Sequence, residues 1–262
     1  AYDRTYNLDN IMKFVSRIFL WLISLGFLGA IVAVVGFVSL LSYYGRDLPD
    51  YSQLRNYEPP IVTRLYAGDG HLLAEFAQEK RVFVPIQFIP DRVKHAFIAA
   101  EDQNFYTHSG VDMKAVARAL LKNIMSKVQG DDRRPEGAST ITQQVAKNFF
   151  FSNEVSYVRK LKEAILAYRM NKTLGKDRIL ELYLNQIYLG GGAHGVAAAA
   201  LYYFDKSLEE LNVAEVAYLA ALPKAPNNYH PVRNHDKALS RRNWVISRME
   251  AEGYITQSQA EM

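Results

Sequence analysis

Two glutamates in this chain sit where a helix would carry them away from water. Val93, Ala96, Phe97, Ala100, Glu101 and Asn104 recur at helical spacing, which predicts a helix face that is apolar up to Glu101. A carboxylate on such a face loses hydration, and its pKa rises toward neutrality unless a cation or hydrogen-bond donors offset the loss. A glutamate in that state can take a proton from a hydroxyl near pH 7. The plainer alternatives are a side chain that reaches back to solvent or one paired with His108. Glu163 shares a stripe with Leu166, Ala167 and Met170, so it too is carried toward an interior. A second apolar stripe on that helix is Val158, Leu161, Ile165 and Tyr168. Arg159, one turn earlier, can pair with Glu163, either there or as an ordinary surface pair.

Between these acids, Gly137-Ala-Ser-Thr-Ile-Thr-Gln-Gln144 opens a helix from about Ser139 in which Thr140, Gln143 and Lys147 share a face. Free N–H groups at a helix start, hydroxyl and amide donors, and a cation one turn on suit an anionic, hydroxyl-rich ligand such as a phosphorylated sugar. The alternative is a solvated face with Ser139 as the cap. Inward-leaning acids with basic residues between them suggest sugar chemistry or chemistry with a phosphate leaving group. His108, His194, His230 and His235 have no ligand-like spacing, and no Gly-x-Ser-x-Gly elbow is present. Gly190-Gly-Gly-Ala-His-Gly195 follows no expected strand and reads as a flexible turn rather than a phosphate loop.

The elements that must position these residues are mostly helical. Asp91 is expected to cap a helix running to about Phe105, and Asp112 another. In the latter, Met113, Val116, Leu120 and Ile124 form an apolar stripe, while Lys114, Arg118 and Lys122 line another side. After a loop over 129–137, helices are expected over 155–174 and 176–189, separated at Gly175. Capping-box patterns start others at Ser207 (with Glu210) and Asn212 (with Glu215). A proline-punctuated loop covers 222–231, Asp236 caps a helix ending at Gly253, and Thr256 with Gln259 opens one more. Before all of these, Ile61–Tyr66 and His71–Phe76 flank Ala67-Gly-Asp-Gly70, a hairpin signal, and Arg81–Pro85 reads as a third short strand. No strand–helix alternation supports a parallel sheet.

Residues 18–45 carry no charged side chain and exceed the roughly 20 residues needed to cross a bilayer core. The run is too long for the apolar region of a signal peptide. Lys13 and Arg17 precede it, and Arg46 is followed at once by Asp47, which puts the N-terminus in the cytoplasm and the rest outside. The expected organisation is a cytoplasmic start (1–17), a transmembrane helix (18–45), a polar linker (46–60), a small β element (61–89) and a helical domain (90–262) that stops inside something larger. The absence of cysteine excludes disulfides and thiolate metal sites. The net charge of +4 is compatible with anionic lipid or phosphate and identifies neither; no nucleic-acid partner is expected.

Together the motifs resemble the glycosyltransferase domain of class A penicillin-binding proteins, peptidoglycan polymerases with a lysozyme-like fold. The resemblance rests on five blocks in order: Glu101-Asp-Gln-Asn-Phe-Tyr-Thr-His-Ser-Gly110, Gly137 to Gln144, Arg159-Lys-Leu-Lys-Glu163, Ile179-Leu-Glu-Leu-Tyr-Leu-Asn185, and Arg241-Arg-Asn-Trp-Val-Ile-Ser-Arg-Met249. It is closest to the bifunctional penicillin-binding protein 1A subgroup, whose transpeptidase domain these 262 residues do not include, so crosslinking and β-lactam binding have no basis here. The resemblance implies lipid II as acceptor and a growing glycan strand on undecaprenyl diphosphate as donor. Glu101 would be the general base and Glu163 the second acid, with Asp102, Phe105 and His108 supporting the site. Lys147, Arg159 and Lys160 would hold the diphosphate, Ser139, Thr140, Gln143 and Gln144 would contact the donor, and Asn185 would be structural or acceptor-side. A magnesium or manganese ion is expected to assist, bound mainly through the substrate diphosphate. Membrane lipids and other cell-wall synthesis proteins are the expected partners, at the inner membrane of a bacterium with the catalytic domain on the periplasmic side. Met113, Leu120, Leu121, Ile124 and Met125 either enter the outer leaflet or form ordinary helix core. The competing functions are a lysozyme-like hydrolase or lytic transglycosylase, which has no use for the cationic cluster, and a non-catalytic membrane scaffold.

Overall fold

The structure is a computed structural model describing residues 2–57, 63–68, 71–76, 80–131, 137–152 and 156–261. Asp69 and Gly70 of the expected hairpin turn, Pro59 and Pro60 of the linker, Val155 and the stretch 132–136 lie outside the described residues. The chain divides into two compact units, Ala1–Leu48 and Pro49–Met262.

The first unit is built on one helix, α1 (Tyr2–Tyr44). Its segment Phe14–Tyr44 has mean hydropathy 2.7 and no buried window, so its apolar side chains face outward on every side. At about 1.5 Å per residue such a segment exceeds a hydrocarbon core of about 30 Å.

The second unit is mainly α, as expected, with a small antiparallel hairpin of β1 (Thr63–Tyr66) and β2 (Leu72–Phe76). The third expected strand shrinks to β3 (Lys80–Arg81), paired in parallel with β4 (Ala193–His194). The glycine-rich turn is therefore a built element. Gly190, Gly191, Gly192 and Gly195 all adopt positive φ, and a Cβ on Gly195 would lie 2.7 Å from the Asn185 carbonyl oxygen.

The helices are α2 (Asp91–Glu101), α3 (Met113–Val128), α4 (Ile141–Phe150), α5 (Tyr157–Leu174), α6 (Lys176–Gln186), α7 (Val196–Phe204), α8 (Val213–Ala221), α9 (His235–Ala251) and α10 (Gln257–Glu261). One packed group joins α2, α8 and α9, and another joins α4, α5 and α6. Phe97 of α2 meets Tyr183 of α6 edge to face between them. Asp91 does not cap α2: Pro90 occupies that position, and the Asp91 carboxylate pairs with Lys94 at 2.7 Å. The helix also stops at Glu101, short of Phe105, because Asp102 turns away to partners described below. Asp112 and the Asn212–Glu215 capping box act as expected. Ser207 and Glu210 form their hydrogen bonds around a turn that never extends into a helix, since Asn212 starts α8 at once. The Ala-rich α7 was not expected, and α9 starts without a side-chain cap from Asp236. On α5 only the stripe of Glu163, Leu166, Ala167 and Met170 is buried; Val158 and Tyr168 are exposed.

α6 gathers segments distant in sequence. Arg178 donates to the carbonyls of Leu54 (3.1 Å) and Tyr57 (2.9 Å) and pairs with Glu181, which accepts the Ile86 N–H at 2.7 Å. Asn185 accepts the Val84 N–H (2.8 Å) and donates to the Val84 carbonyl (2.9 Å). Part of the expected linker is thus packed on the domain. An amide that satisfies both backbone groups of one residue cannot be replaced by an apolar side chain without leaving them unmatched. Asn185→Ala is expected to cost about 1 to 3 kcal/mol, read as a lower thermal midpoint in detergent. An unchanged midpoint would remove Asn185 from the structural framework.

Candidate active site

Asp102 follows α2 and is buried. Its carboxylate accepts from His108 Nε2 (2.9 and 3.0 Å) and from the Ile141 N–H at the start of α4 (2.9 Å). Gly110 N–H donates to His108 Nδ1 at 3.1 Å, which places the imidazole proton on Nε2, facing Asp102. The Gly110 carbonyl in turn accepts the Thr140 hydroxyl at 2.6 Å. Gly110 has φ +102, and a Cβ there would lie 2.4 Å from the Ala167 carbonyl oxygen, so only glycine lets this loop rest on α5. Phe105 is buried beneath, with Lys176 Nζ 4.6 Å above its ring.

This network changes the expected use of the α4 N-terminus. Two of the free N–H groups anticipated for a ligand are taken: Ile141 N–H by Asp102, and Gln143 N–H by the Thr140 hydroxyl. Thr140, not Ser139, caps the helix, and Gln143 closes the capping box through the Thr140 N–H. Thr140 and Gln143 therefore spend their polar groups on the helix start, although Gln143 also borders the cleft.

The cleft itself has a volume of about 1050 Å³. Glu101 and Gln144 lie in its wall, and Gln144 Nε2 donates to Glu101 Oε2 at 2.7 Å. Burial pushes the Glu101 carboxyl above its usual pKa, and the nearby Asp102 charge adds to that rise. The Gln144 hydrogen bond and the charges of Arg241 and Lys224 oppose it without cancelling it. His108, an alternative partner for Glu101, is committed to Asp102 instead.

Glu163 borders the same cleft in a different environment. It is fully buried, 3.1 Å from Arg159 Nε and 2.8 Å from Lys160 Nζ. Lys160 Nζ also donates to Ser139 Oγ at 2.7 Å, and Lys147 lines the cleft nearby. The structure thus brings Glu101, Ser139, Gln143, Gln144, Lys147, Arg159, Lys160 and Glu163 to one cleft. It sets Asp102, Phe105, His108 and Thr140 behind the wall, and Asn185 in the framework. Lys224, Arg241, Trp244 and Lys122 also line the cleft and had no assigned role. Arg241 stacks on Trp244, its guanidinium 3.8 Å from the ring centre. Arg241 and Trp244 stand in a block singled out by sequence, but as a helix fragment it gives no direction; Lys224 hides in a proline-rich loop.

Among the described residues no group of three or more His, Asp or Glu side chains could hold a metal ion. The cleft's cations, amides and pre-paired Glu163 do not fit a cation held by the protein alone.

The transglycosylase family model matches residues 69–250. Penicillin-binding protein 1A of Rickettsia bellii (strain RML369-C) is 55% identical over 222 residues, covering 85% of this chain and 28% of its own length. Penicillin-binding protein 1A of Aquifex aeolicus (strain VF5) is 46% identical over 238 residues, covering 90% and 32%. A crystal structure of penicillin-binding protein 1A from Haemophilus influenzae aligns with TM-score 0.42 at 28% identity, over 78% of this chain and 20% of that one. The chain spans 28% to 32% of the length of these two curated relatives.

A raised carboxyl pKa has a sign for stability. Between the unfolded and the folded pKa of Glu101 the native state holds the extra proton, so stability falls as pH rises through that window. Glu101→Gln removes the penalty and keeps an acceptor for Gln144. It is expected to raise the thermal midpoint at pH 8 and to leave it unchanged at pH 4; equal midpoints at pH 8 would contradict the strained carboxylate.

Proposed function

The chain belongs to the transglycosylase family, and from that premise we propose that it is a peptidoglycan glycosyltransferase polymerising lipid II into β-1,4-linked glycan. The observation that carries this reading is Glu101, with its raised pKa, in a cleft that also presents Lys147, Arg159 and Lys160. In this reading Glu101 takes the proton from the acceptor's 4-hydroxyl as that oxygen attacks the donor's anomeric carbon from the face opposite the leaving group. The new glycosidic bond forms with inversion, and the bond to the undecaprenyl diphosphate oxygen breaks with its electron pair. The cations offset the charge that grows on the diphosphate. Glu163, clamped by Arg159 and Lys160, keeps their ammonium and guanidinium groups aimed into the cleft. Ser139 extends that grip through Lys160, and Gln144 directs Glu101. A divalent cation would be carried by the substrate diphosphate.

A lipid-linked substrate stays in the bilayer, so a helix such as α1 is a fitting anchor. The charge pattern around it favours a cytoplasmic N-terminus and a catalytic unit on the outer side of a bacterial inner membrane, where other cell-wall synthesis proteins act. Incubation of the purified chain with labelled lipid II and magnesium should yield glycan polymer, and Glu101→Gln should lower the rate at least about 100-fold. Cleavage of preformed glycan without polymerisation would favour a hydrolase. Neither activity would favour a scaffold.

The same reading accounts for α3. None of its residues is buried, and Met113, Leu120, Leu121, Ile124, Met125 and Val128 are each more than half exposed. Core packing is therefore excluded for this stripe. Exposed apolar side chains interleaved with Lys114, Arg118, Lys122 and Lys127 match a helix lying in an anionic lipid surface. In a chain lacking residues 1–45, Leu120→Glu with Ile124→Glu should weaken binding to anionic liposomes about tenfold or more, as read by co-sedimentation. Unchanged sedimentation would sink this role.

A further inference from the structure

Tyr183 of α6 is the largest fully buried side chain among the described residues. Its ring packs edge-on against Phe97, with centroids 6.2 Å apart, yet its hydroxyl has no hydrogen-bond partner among the described residues. Leaving an O–H unmatched in an apolar interior is costly, and phenylalanine would fill the same space without that cost. The hydroxyl does have charged neighbours. Burial first, then the charges of Glu101 and Asp102, hold the phenol well above its usual pKa, so it is a donor throughout the working pH range.

Of the two carboxylates, Asp102 is already engaged on both oxygens by His108 and by the Ile141 N–H. Glu101 accepts a hydrogen bond only at Oε2, from Gln144, among the described residues. We propose that Tyr183 is a positioning residue for Glu101, its phenol donating to the second carboxylate oxygen and so fixing the direction and favouring the ionised form of that side chain. The proposal rests on the reading of Glu101 as the base. Phe97, the ring that Tyr183 packs against, precedes Glu101 by one turn of α2, so the phenol approaches the helix face that carries this carboxylate.

The rest of α6 supports this placement. Lys176 lies two turns before Tyr183 on the same face, and its Nζ is also buried without a hydrogen-bond partner, above Phe105. Burial lowers its pKa to about 8 against the opposing pull of Asp102. One helix therefore sends a cation toward Asp102 and a phenol toward Glu101. The groups that face Glu101 are Gln144 from α4, Arg241 from α9, Lys224 from the loop after α8, Asp102 beside it and Tyr183 from α6. Removing Tyr183's hydroxyl alters that set without altering a charge.

The test uses the full chain in nanodiscs, labelled with carboxyl-¹³C glutamate, with the Glu101 resonance assigned by its loss in Glu101→Gln. In Tyr183→Phe, Glu101 should titrate about one unit higher, and the acidic limb of the lipid II polymerisation profile should rise with it, the alkaline plateau staying within about threefold of wild type. A 3-fluorotyrosine at position 183, a stronger donor of the same shape, should move both the other way; it also carries the test if the phenylalanine variant fails to fold. An unmoved Glu101 titration, or a loss of rate equal at every pH, overturns the proposal. A shifted Glu101 resonance in a protein that does not polymerise lipid II supports the Tyr183 contact and instead overturns the glycosyltransferase reading.

Discussion

Asp102 presents its carboxylate to the first turn of α4, and the rest of the site follows from that contact. Hydrogen bonds to a charged acceptor contribute about 1.5 to 3 kcal/mol each, and a carboxylate at a helix N-terminus gains from the helix dipole as well. Because Asp102 adjoins Glu101, the bond to Ile141 fixes where α2 ends relative to α4. Gln144 is then within reach of Glu101 from the first turn of α4, and Lys147 follows one turn on. His108 and Gly110 extend the restraint to Thr140 and to the backbone of α5, which carries Arg159, Lys160 and Glu163. Two helices and a loop are registered against each other through one buried acid.

The two cleft glutamates show how environment divides labour between identical side chains. Glu101 is half-buried in the cleft wall beside a neutral amide, with charges that offset only part of its desolvation. Glu163 is buried beside two cations in direct contact. A base must be able to accept a proton, which the first setting favours. The second setting instead fixes two cationic side chains against one acid. Burying Glu163 with no partner would leave a costly unpaired charge, and Arg159 and Lys160 both stand against it. Their positive charge exceeds that of the one acid they hold, and the surplus faces the cleft.

Much of this was legible in the residues, for local reasons. Helical periodicity set Glu101 and Glu163 on inward faces, and Asp112, Asn212 and Gly175 end or start helices by short-range chemistry that spacing reveals. What escaped depends on partners far along the chain. The α4 N–H groups look available until Asp102, 39 residues earlier, arrives to occupy one. Asp91 looks like a cap, yet Lys94 holds its carboxylate. α7 is missed because Val196 to Ala200 are all buried, so its sequence has no polar face to mark a period. Lys224 and Arg241 reach the cleft only because α8 and α9 pack on α2, a tertiary fact with no local signature.

α3 poses the opposite problem, since its sequence is that of an amphipathic helix and its surroundings do not match. An apolar stripe ordinarily turns inward, and here every large apolar residue from Met113 to Val128 is exposed. A soluble domain with this surface would be prone to associate through it. Yet Asp112 caps the helix firmly, and Lys122, Asn123, Met125 and Ser126 border the cleft that holds Glu101. An exposed apolar face and a wall of the active site on one helix are compatible if the substrate itself spans both environments. A sugar carried on a long hydrocarbon tail, the substrate class proposed above, would do so: its tail would take the apolar route, its diphosphate the cations of α4 and α5, and its sugar Glu101. On the proposed reading, the helix that is anomalous for a soluble fold would be the element that joins the chemistry to its lipid.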